Sequence, residues 1–213
     1  MIAPGDREPV RYAHVRAGDA LAAIPRLVRD RAIVAIGVDG PLRPDLSLTA
    51  KARACERRLG RAPFHRSCKP GSTAAPLGQL LHAEATRLAR LLQPEYPRAQ
   101  IVEAFPTAFL RTLLAEDAVG QVPRGRKSQV YWDLCAADGV LRRLCAALYG
   151  AASAPIAAAF TRLTQRDVRA AAICALSARA AALGLATRVG DAEDGWIALA
   201  PRRFLADWAR RAL

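Results

Sequence analysis

One short apolar segment constrains the fold of this chain more than any other feature. Residues 32–42 read A-I-V-A-I-G-V-D-G-P-L, a run of β-branched residues that stops at a turn signal. Because the run does not alternate with polar residues, it predicts a central strand buried on both faces, with helices on both sides and a partly parallel sheet. Asp39 then lies at the carboxyl end of the strand, where open α/β sheets bind ligands. The simpler interpretation is that Asp39 caps the turn.

Length and composition predict a single α/β domain over residues 1–213. The chain is 52% hydrophobic and 24% charged, which is typical of a globular protein, and its many alanines favour helices. In addition to the strand within residues 32–42, apolar periodicity predicts strands over residues 10–15 and 100–103 and a short final strand over residues 196–200. It predicts helices over residues 20–28, 50–59, 77–92, 107–114, 130–149, 155–163, 165–183 and 203–213.

The charge balance favours a polyanionic partner. The formal net charge is +13, and nearly all of the basic residues are arginines, since the lysines are only Lys51, Lys69 and Lys127. Arginine binds phosphate through a planar, bidentate guanidinium, so nucleic acid is the expected partner. A GC-rich genome would also produce an arginine-rich chain, so charge by itself does not decide the function.

The cysteines and the apolar segments indicate a cytoplasmic protein. Five cysteines without a C-x-x-C pair argue against a disulfide framework and against a thiolate zinc site, and they favour a reducing compartment. The N-terminal residues do not resemble a signal peptide. No uncharged apolar stretch approaches the ~20 residues that cross a bilayer, so we expect no membrane partner.

Three acids are predicted at the ends of elements. Asp39 and Glu103 follow strands, and Asp167 lies in the first turn of the helix predicted over residues 165–183. Carboxylates that converge need a cation, and hard oxygen ligands select Mg²⁺ or Mn²⁺. The alternative is that these acids are helix caps and buried pairs.

Six segments of the chain resemble domain of unknown function 429, a family of predicted RNase H-like nucleases. In chain order they are V-D-G-P-L (38–42), R-x-C-E (53–56), V-E-A-F-P (102–106), R-K-S-Q-V-Y-W-D (126–133), D-V-R-A-A-A-I-C-A-L-S-A (167–178) and D-G-W-I (194–197). The resemblance implies a ribonuclease H-like mixed sheet flanked by helices. It also implies that Asp39, Glu103 and Asp167 hold a divalent metal ion and that Lys127 contacts a phosphate.

Two departures from the family pattern affect these expectations. The family begins with a strand that carries a G-x-D motif, which nothing before Val10 supplies, and Ala170 stands where the late helix often has a second acid. The first strand is therefore expected to be lacking or altered. A sheet without that strand has an unpaired edge, which a second copy of the chain could cover as a homodimer.

Two functions follow from these patterns. The first is a metal-dependent nuclease in which the three acids are catalytic and Arg43, Lys51, Arg53 and Lys127 bind the phosphate backbone. The second is a catalytically inactive module of the same fold that binds nucleic acid or another polyanion. A small-molecule enzyme or a structural protein is a third class, although no residue pattern favours it. The absence of G-x-S-x-G and G-x-G-x-x-G motifs argues against serine hydrolases and dinucleotide binding.

Overall fold

A computed structural model of the protein describes residues 1–4, 6, 9–12, 24, 32–120 and 122–213. Within these ranges, four strands form one mixed sheet: β1 (Ala35–Asp39), β2 (Gln100–Ala104), β3 (Ala186–Asp191) and β4 (Gly195–Pro201). Their spatial order is β1-β2-β4-β3. β2 is parallel to both β1 and β4, whereas β3 and β4 form an antiparallel hairpin. The predicted α/β class, with a mixed sheet flanked by helices, is confirmed.

Eight α-helices surround this sheet in the described ranges. They are α1 (Ala54–Leu59), α2 (Pro76–Glu95), α3 (Pro106–Leu113), α4 (Lys127–Ala137), α5 (Val140–Tyr149), α6 (Ser153–Thr161), α7 (Arg166–Ala182) and α8 (Asp207–Ala212). Both α2 and α3 begin with proline, which suits the first turn because the missing N–H has no intrahelical partner there.

One face of the sheet is covered by α7, which packs on β1, β2 and β4. Small residues allow a close approach: a Cβ on Gly37 would lie 2.1 Å from the carbonyl oxygen of Cys174. Further along α7, Ala178 and Ala181 pack in one buried cluster with residues of β2 and β4. The alanine-rich composition of α7 therefore brings its backbone against the sheet.

The opposite face is covered by α2 and α1. Ala85 and Ala89 of α2 pack on Val38 and Leu42, and α1 packs on β3 and β4. A larger apolar core extends from α1 and β4 through α3 to α7, and it includes the buried rings of Phe64, Trp132 and Phe160. The sheet is thus the middle of three layers.

Three sequence predictions are wrong in the described ranges. β1 is at the edge of the sheet and only half-buried, because helices cover it but β2 is its only neighbouring strand there. The helix predicted over residues 130–149 is divided at Gly139, whose φ of 65° is left-handed and ends α4 before α5 begins. β3 was not predicted, since its sequence A-T-R-V-G-D has little apolar periodicity.

Two other regions bear on the sequence predictions. Apart from Ile24, which is helical, the helix predicted over residues 20–28 lies outside the described residues. So do residues 13–15 of the strand predicted over residues 10–15, whereas Val10 forms an antiparallel bridge with Ile2. In the described ranges, Val140–Thr161 is the one segment long and apolar enough, by length and composition, to span a membrane. The chain breaks at Gly150 (φ 55°), and α5 and α6 pack against each other. In this structure the segment therefore contributes to the apolar core.

Candidate functional site at the carboxyl edge of the sheet

The register of the sheet separates two of the predicted acids. Val38 pairs with Glu103, and Asp39 pairs with Ala104. Side chains alternate along a strand and paired neighbours share a face, so Glu103 lies on the same face as Val38, which packs against α2. Asp39 lies on the other face with Gly37, which contacts α7. The two carboxylates are therefore at one edge of the sheet but on opposite faces.

Glu103 is buried and forms a bidentate ion pair with Arg53. Nη1 and Nη2 of Arg53 donate to Oε2 and Oε1 of Glu103 at 2.6 and 2.7 Å, and the Leu42 amide donates to Oε2 at 2.8 Å. Nε of Arg53 donates to Glu56 at 2.8 Å, and Nη1 also reaches the carbonyl oxygen of Leu42 at 2.8 Å. Glu56 accepts a further hydrogen bond from the Thr73 amide at 2.9 Å. Arg53, itself 1% exposed, is thus the counterion of two buried carboxylates.

The electrostatics of this cluster follow from its burial. Burial raises the pKa of the Glu103 carboxyl, and Arg53 and the Leu42 amide oppose that rise. Burial alone would lower the pKa of Arg53, but the hydrogen bonds and charge of Glu103 raise it above its ordinary value. These two shifts disagree about the pair: the raised pKa of Glu103 favours a neutral carboxyl, whereas the raised pKa of Arg53 favours an ion pair. The ion pair is the ground state, because guanidinium does not deprotonate in proteins and the carboxylate accepts three short hydrogen bonds.

Asp194 joins the same region of the structure. Its Oδ2 accepts a hydrogen bond from the Ala54 amide at 3.1 Å, so it caps the N-terminus of α1. Four of the six segments on which the family resemblance rests therefore meet here, through Leu42, Arg53, Glu103 and Asp194. The contacts of these four residues form a structural network that joins α1 to the sheet.

Asp39 has a different environment. It is exposed, and no described residue donates a hydrogen bond to its carboxylate. Neighbouring protein atoms displace part of its hydration and raise the pKa of the Asp39 carboxyl to about 6, while the charge of Arg166 opposes the rise. An acid that is partly desolvated and has no hydrogen-bond donor gains more from an added cation than one that is already paired.

Asp167 lies at the same end of the α7 layer as Asp39. Ala35 packs beside Ala178 and Ala181, and Gly37 contacts Cys174, so α7 runs antiparallel to β1. The first turn of α7 is therefore near the carboxyl end of β1, as the electrostatic coupling of Asp39 to Arg166 also indicates. By helical spacing, Asp167 and Cys174 share one face of α7.

A shallow groove adjoins this edge. It is lined by Pro106, Leu110, Ser128, Gln129, Arg166, Arg169 and Ala170. These residues belong to the first two turns of α3, α4 and α7, so the N-terminal ends of three helices border the groove. Arg169 is held in place by Asp133 (2.9 Å), the carbonyl oxygen of Leu163 (2.6 Å) and the ring of Trp132. Arg166 is exposed and has no hydrogen-bond partner among the described residues.

The four basic residues predicted to bind substrate lie in three different places. Arg53 is buried in its ion pairs. Arg43 donates to Ser47 at 2.8 Å and to the carbonyl oxygen of Glu193 at 3.2 Å, and Lys51 is exposed before α1. Lys127 is half-buried at the first residue of α4 and donates to the carbonyl oxygen of Arg66. Of the four, only Lys127 belongs to a helix whose first turn lines the groove.

Sequence reasoning missed Arg166, Glu56 and Arg169. Arg166 directly precedes the acid predicted in the first turn of the late helix, so its position was a usable signal. The spacing of Arg53 and Glu56 is that of a capping box, in which the Arg53 amide donates to Glu56 at 3.2 Å. Nothing local links Arg169 to Asp133, because 36 residues separate them.

Comparisons of the chain with family models, curated proteins and solved structures found no match. Within the described ranges, no three His, Cys, Asp or Glu side chains are grouped to hold a metal ion. The structure brings Asp39 and Asp167 to one end of the α7 layer and leaves Glu103 on the other face.

Proposed function

We propose that the protein is an RNase H-like module that binds the phosphate backbone of nucleic acid along the groove formed by α3, α4 and α7. The observation that carries this proposal is the meeting of three helix N-termini with the exposed guanidinium of Arg166 at one edge of the sheet. Helix N-termini present unpaired N–H groups and a positive dipole, which favour phosphate. The formal net charge of +13 adds long-range attraction for a polyanion.

The exposed guanidinium of Arg166 favours the groove as the phosphate-binding site over the basic helix predicted at residues 50–59. Four of the five side-chain N–H donors of Arg53 bind other parts of the protein, and the residue is 1% exposed, so it is out of reach of a phosphate that approaches from solvent. Arg166 faces the groove without such partners in the described ranges. Ser128, which also lines the groove, adds a hydroxyl that can donate to a phosphate oxygen, whereas the Gln129 amide already donates to Asp133.

The test is oligonucleotide binding measured by fluorescence anisotropy over a series of salt concentrations. Single-stranded and duplex DNA and RNA of equal length are compared on the wild type, Arg166→Gln and Arg98→Gln. Arg98 is the matched control, since it is also exposed but precedes β2 and so lies at the opposite edge of the sheet. We expect Arg166→Gln to weaken binding to every sequence and to reduce the salt slope by about 1. Equal effects of the two variants, or binding that ignores salt, would contradict the proposal.

Metal-dependent phosphodiester hydrolysis is the second candidate, and the placement of Asp39 and Asp167 favours it. Two carboxylates at one end of the α7 layer fit Mg²⁺ or Mn²⁺, which take one or two protein carboxylates and leave other positions to water and phosphate oxygens. Such an ion would supply an activated water and would polarise the phosphoryl group. Glu103 is not suited to this role, because Arg53 already neutralises it on the other face. In this candidate Arg166 would orient the phosphate beside Asp39.

Calorimetric titration with Mn²⁺ distinguishes the two candidates. If the protein is a metal-dependent hydrolase, Asp39→Asn and Asp167→Asn lose Mn²⁺ binding, whereas Glu103→Gln keeps it. Because the pKa of Asp39 is raised to about 6, binding would also release protons below about pH 6. Mn²⁺ binding that survives in both aspartate variants, or no binding by the wild type, would rule out metal-dependent hydrolysis and leave the nucleic-acid-binding module as the remaining candidate.

A further inference from the structure

We propose that the outer face of α2 is a dimerisation surface, on which α2 of a second copy of this chain packs antiparallel. α2 is the longest helix in the described ranges, with 20 residues and a length of about 30 Å. Among the described residues its inner face is the occupied one, and the residues buried there are Gly78, His82, Ala85, Thr86, Ala89 and Leu92. This proposal is independent of the groove and of the acids.

The outer face carries an apolar stripe with two charges at its centre. In chain order the stripe is Leu77, Leu80, Glu84, Arg87, Leu91 and Pro94, all of them exposed. The intervals alternate between three and four residues, which is the spacing of a coiled-coil seam. Leu77 and Leu80 are 68% and 66% exposed, and Leu91 is 40% exposed. A regular row of exposed leucines on one helix is the pattern of a helix that packs against another helix.

The stripe is complementary to itself when the partner helix is reversed. A twofold axis midway between Ala85 and Thr86 places Leu80 opposite Leu91 of the second copy and Glu84 opposite Arg87 of the second copy. The same axis places Leu77 opposite Pro94 of the second copy. Each contact occurs twice, as an isologous interface requires. Glu84 and Arg87 already pair within one helix at 2.8 Å, so the four charges would form a closed network at the centre.

The charge of α2 favours a second copy of this chain, over a lipid surface or nucleic acid, as the partner of its outer face. α2 contains two acids, Glu84 and Glu95, and two arginines, Arg87 and Arg90, so its formal charge balances. A helix that binds an anionic lipid surface or nucleic acid carries an excess of basic residues, which α2 does not have. In a chain of net charge +13, a locally neutral face is also where two copies repel each other least.

Charge reversal tests the pairing directly. Sedimentation velocity is run on the wild type, Glu84→Arg, Arg87→Glu and an equimolar mixture of the two variants, over roughly 1–100 µM protein. We expect the wild type to dimerise and each variant alone to dimerise at least about tenfold more weakly, because like charges meet at the axis. The mixture should form a heterodimer, since every charge then faces an opposite charge.

A leucine pair provides the matched apolar control. Leu91→Gln should weaken dimerisation, whereas Leu185→Gln should not, because Leu185 is equally exposed (42%) but precedes β3. Circular dichroism confirms that each variant is folded. A monomeric wild type, single variants that dimerise as well as the wild type, or a mixture that stays monomeric would each overturn the proposal.

Discussion

Replacing Arg53 by methionine would remove the only cation that neutralises Glu103 and Glu56 inside the described structure. Arg53 donates four hydrogen bonds of 2.6–2.8 Å, three of them to these two carboxylates. Methionine keeps much of the side-chain volume but leaves both acids buried without their counterion. Breaking a buried ion pair in this way costs about 3–5 kcal/mol, because an uncompensated charge remains. For a chain of this length, that loss of unfolding free energy lowers Tm by about 10 °C.

The pH dependence identifies the cause of that loss. Without Arg53, burial still raises the pKa of Glu103 in the folded state, whereas its pKa in the unfolded chain stays ordinary. The folded variant therefore holds its proton more tightly, and its stability is lost as the pH rises through the folded pKa. The difference from the wild type should therefore shrink as the pH is lowered from neutral towards the ordinary pKa of a glutamate. Adding Glu103→Gln to Arg53→Met should recover about 1–3 kcal/mol at neutral pH, because one buried charge disappears.

Urea denaturation followed by circular dichroism measures these free energies. Arg57→Met is the control, since Arg57 lies in α1, which begins directly after Arg53, but is exposed, and it should change stability by less than about 0.5 kcal/mol. A loss below about 1 kcal/mol for Arg53→Met, or a loss that does not vary with pH, would refute the assignment of Arg53 as a structural counterion. Weakened nucleic-acid binding with unchanged stability would instead support the role predicted from the sequence.

Three further predictions concern Asp39, Gly37 and the five cysteines. Asp39→Asn should stabilise the protein above about pH 6 by up to ~1 kcal/mol in thermal melts, a modest gain because Asp39 is exposed, and the gain should vanish below about pH 3, where the wild-type acid is protonated in both states. A constant gain at all pH values would show that desolvation is not the cause. Gly37→Ala should destabilise by about 3 kcal/mol, because its Cβ meets the Cys174 carbonyl, whereas Gly71→Ala, with open space around it, should be nearly neutral. All five cysteines are buried and their pKa values are raised, so a disulfide reagent should label none of them in the native protein and five after unfolding. Rapid native labelling would contradict the burial of these thiols.

Local patterns predicted much of the secondary structure. The strands at Asp39 and Glu103 and the late helix from Arg166 to Ala182 lie close to where apolar periodicity places them. Breaks were predicted less well: the Asp138-Gly139 pair is a local turn signal, but the apolar periodicity on both sides of it favoured one continuous helix. The strand β3 was missed because its pairing with β4, and not its own apolar pattern, makes it a strand.

The candidate site shows the same division between local and long-range information. By itself, the sequence determined which acids end strands or begin a helix, because that depends on neighbouring residues. Only the tertiary structure decided that Glu103 faces α1 and pairs with Arg53, 50 residues away, while Asp39 faces α7 near Arg166. The reason is physical: a register shift of one residue moves a side chain to the other face of a sheet, and register depends on contacts between distant segments.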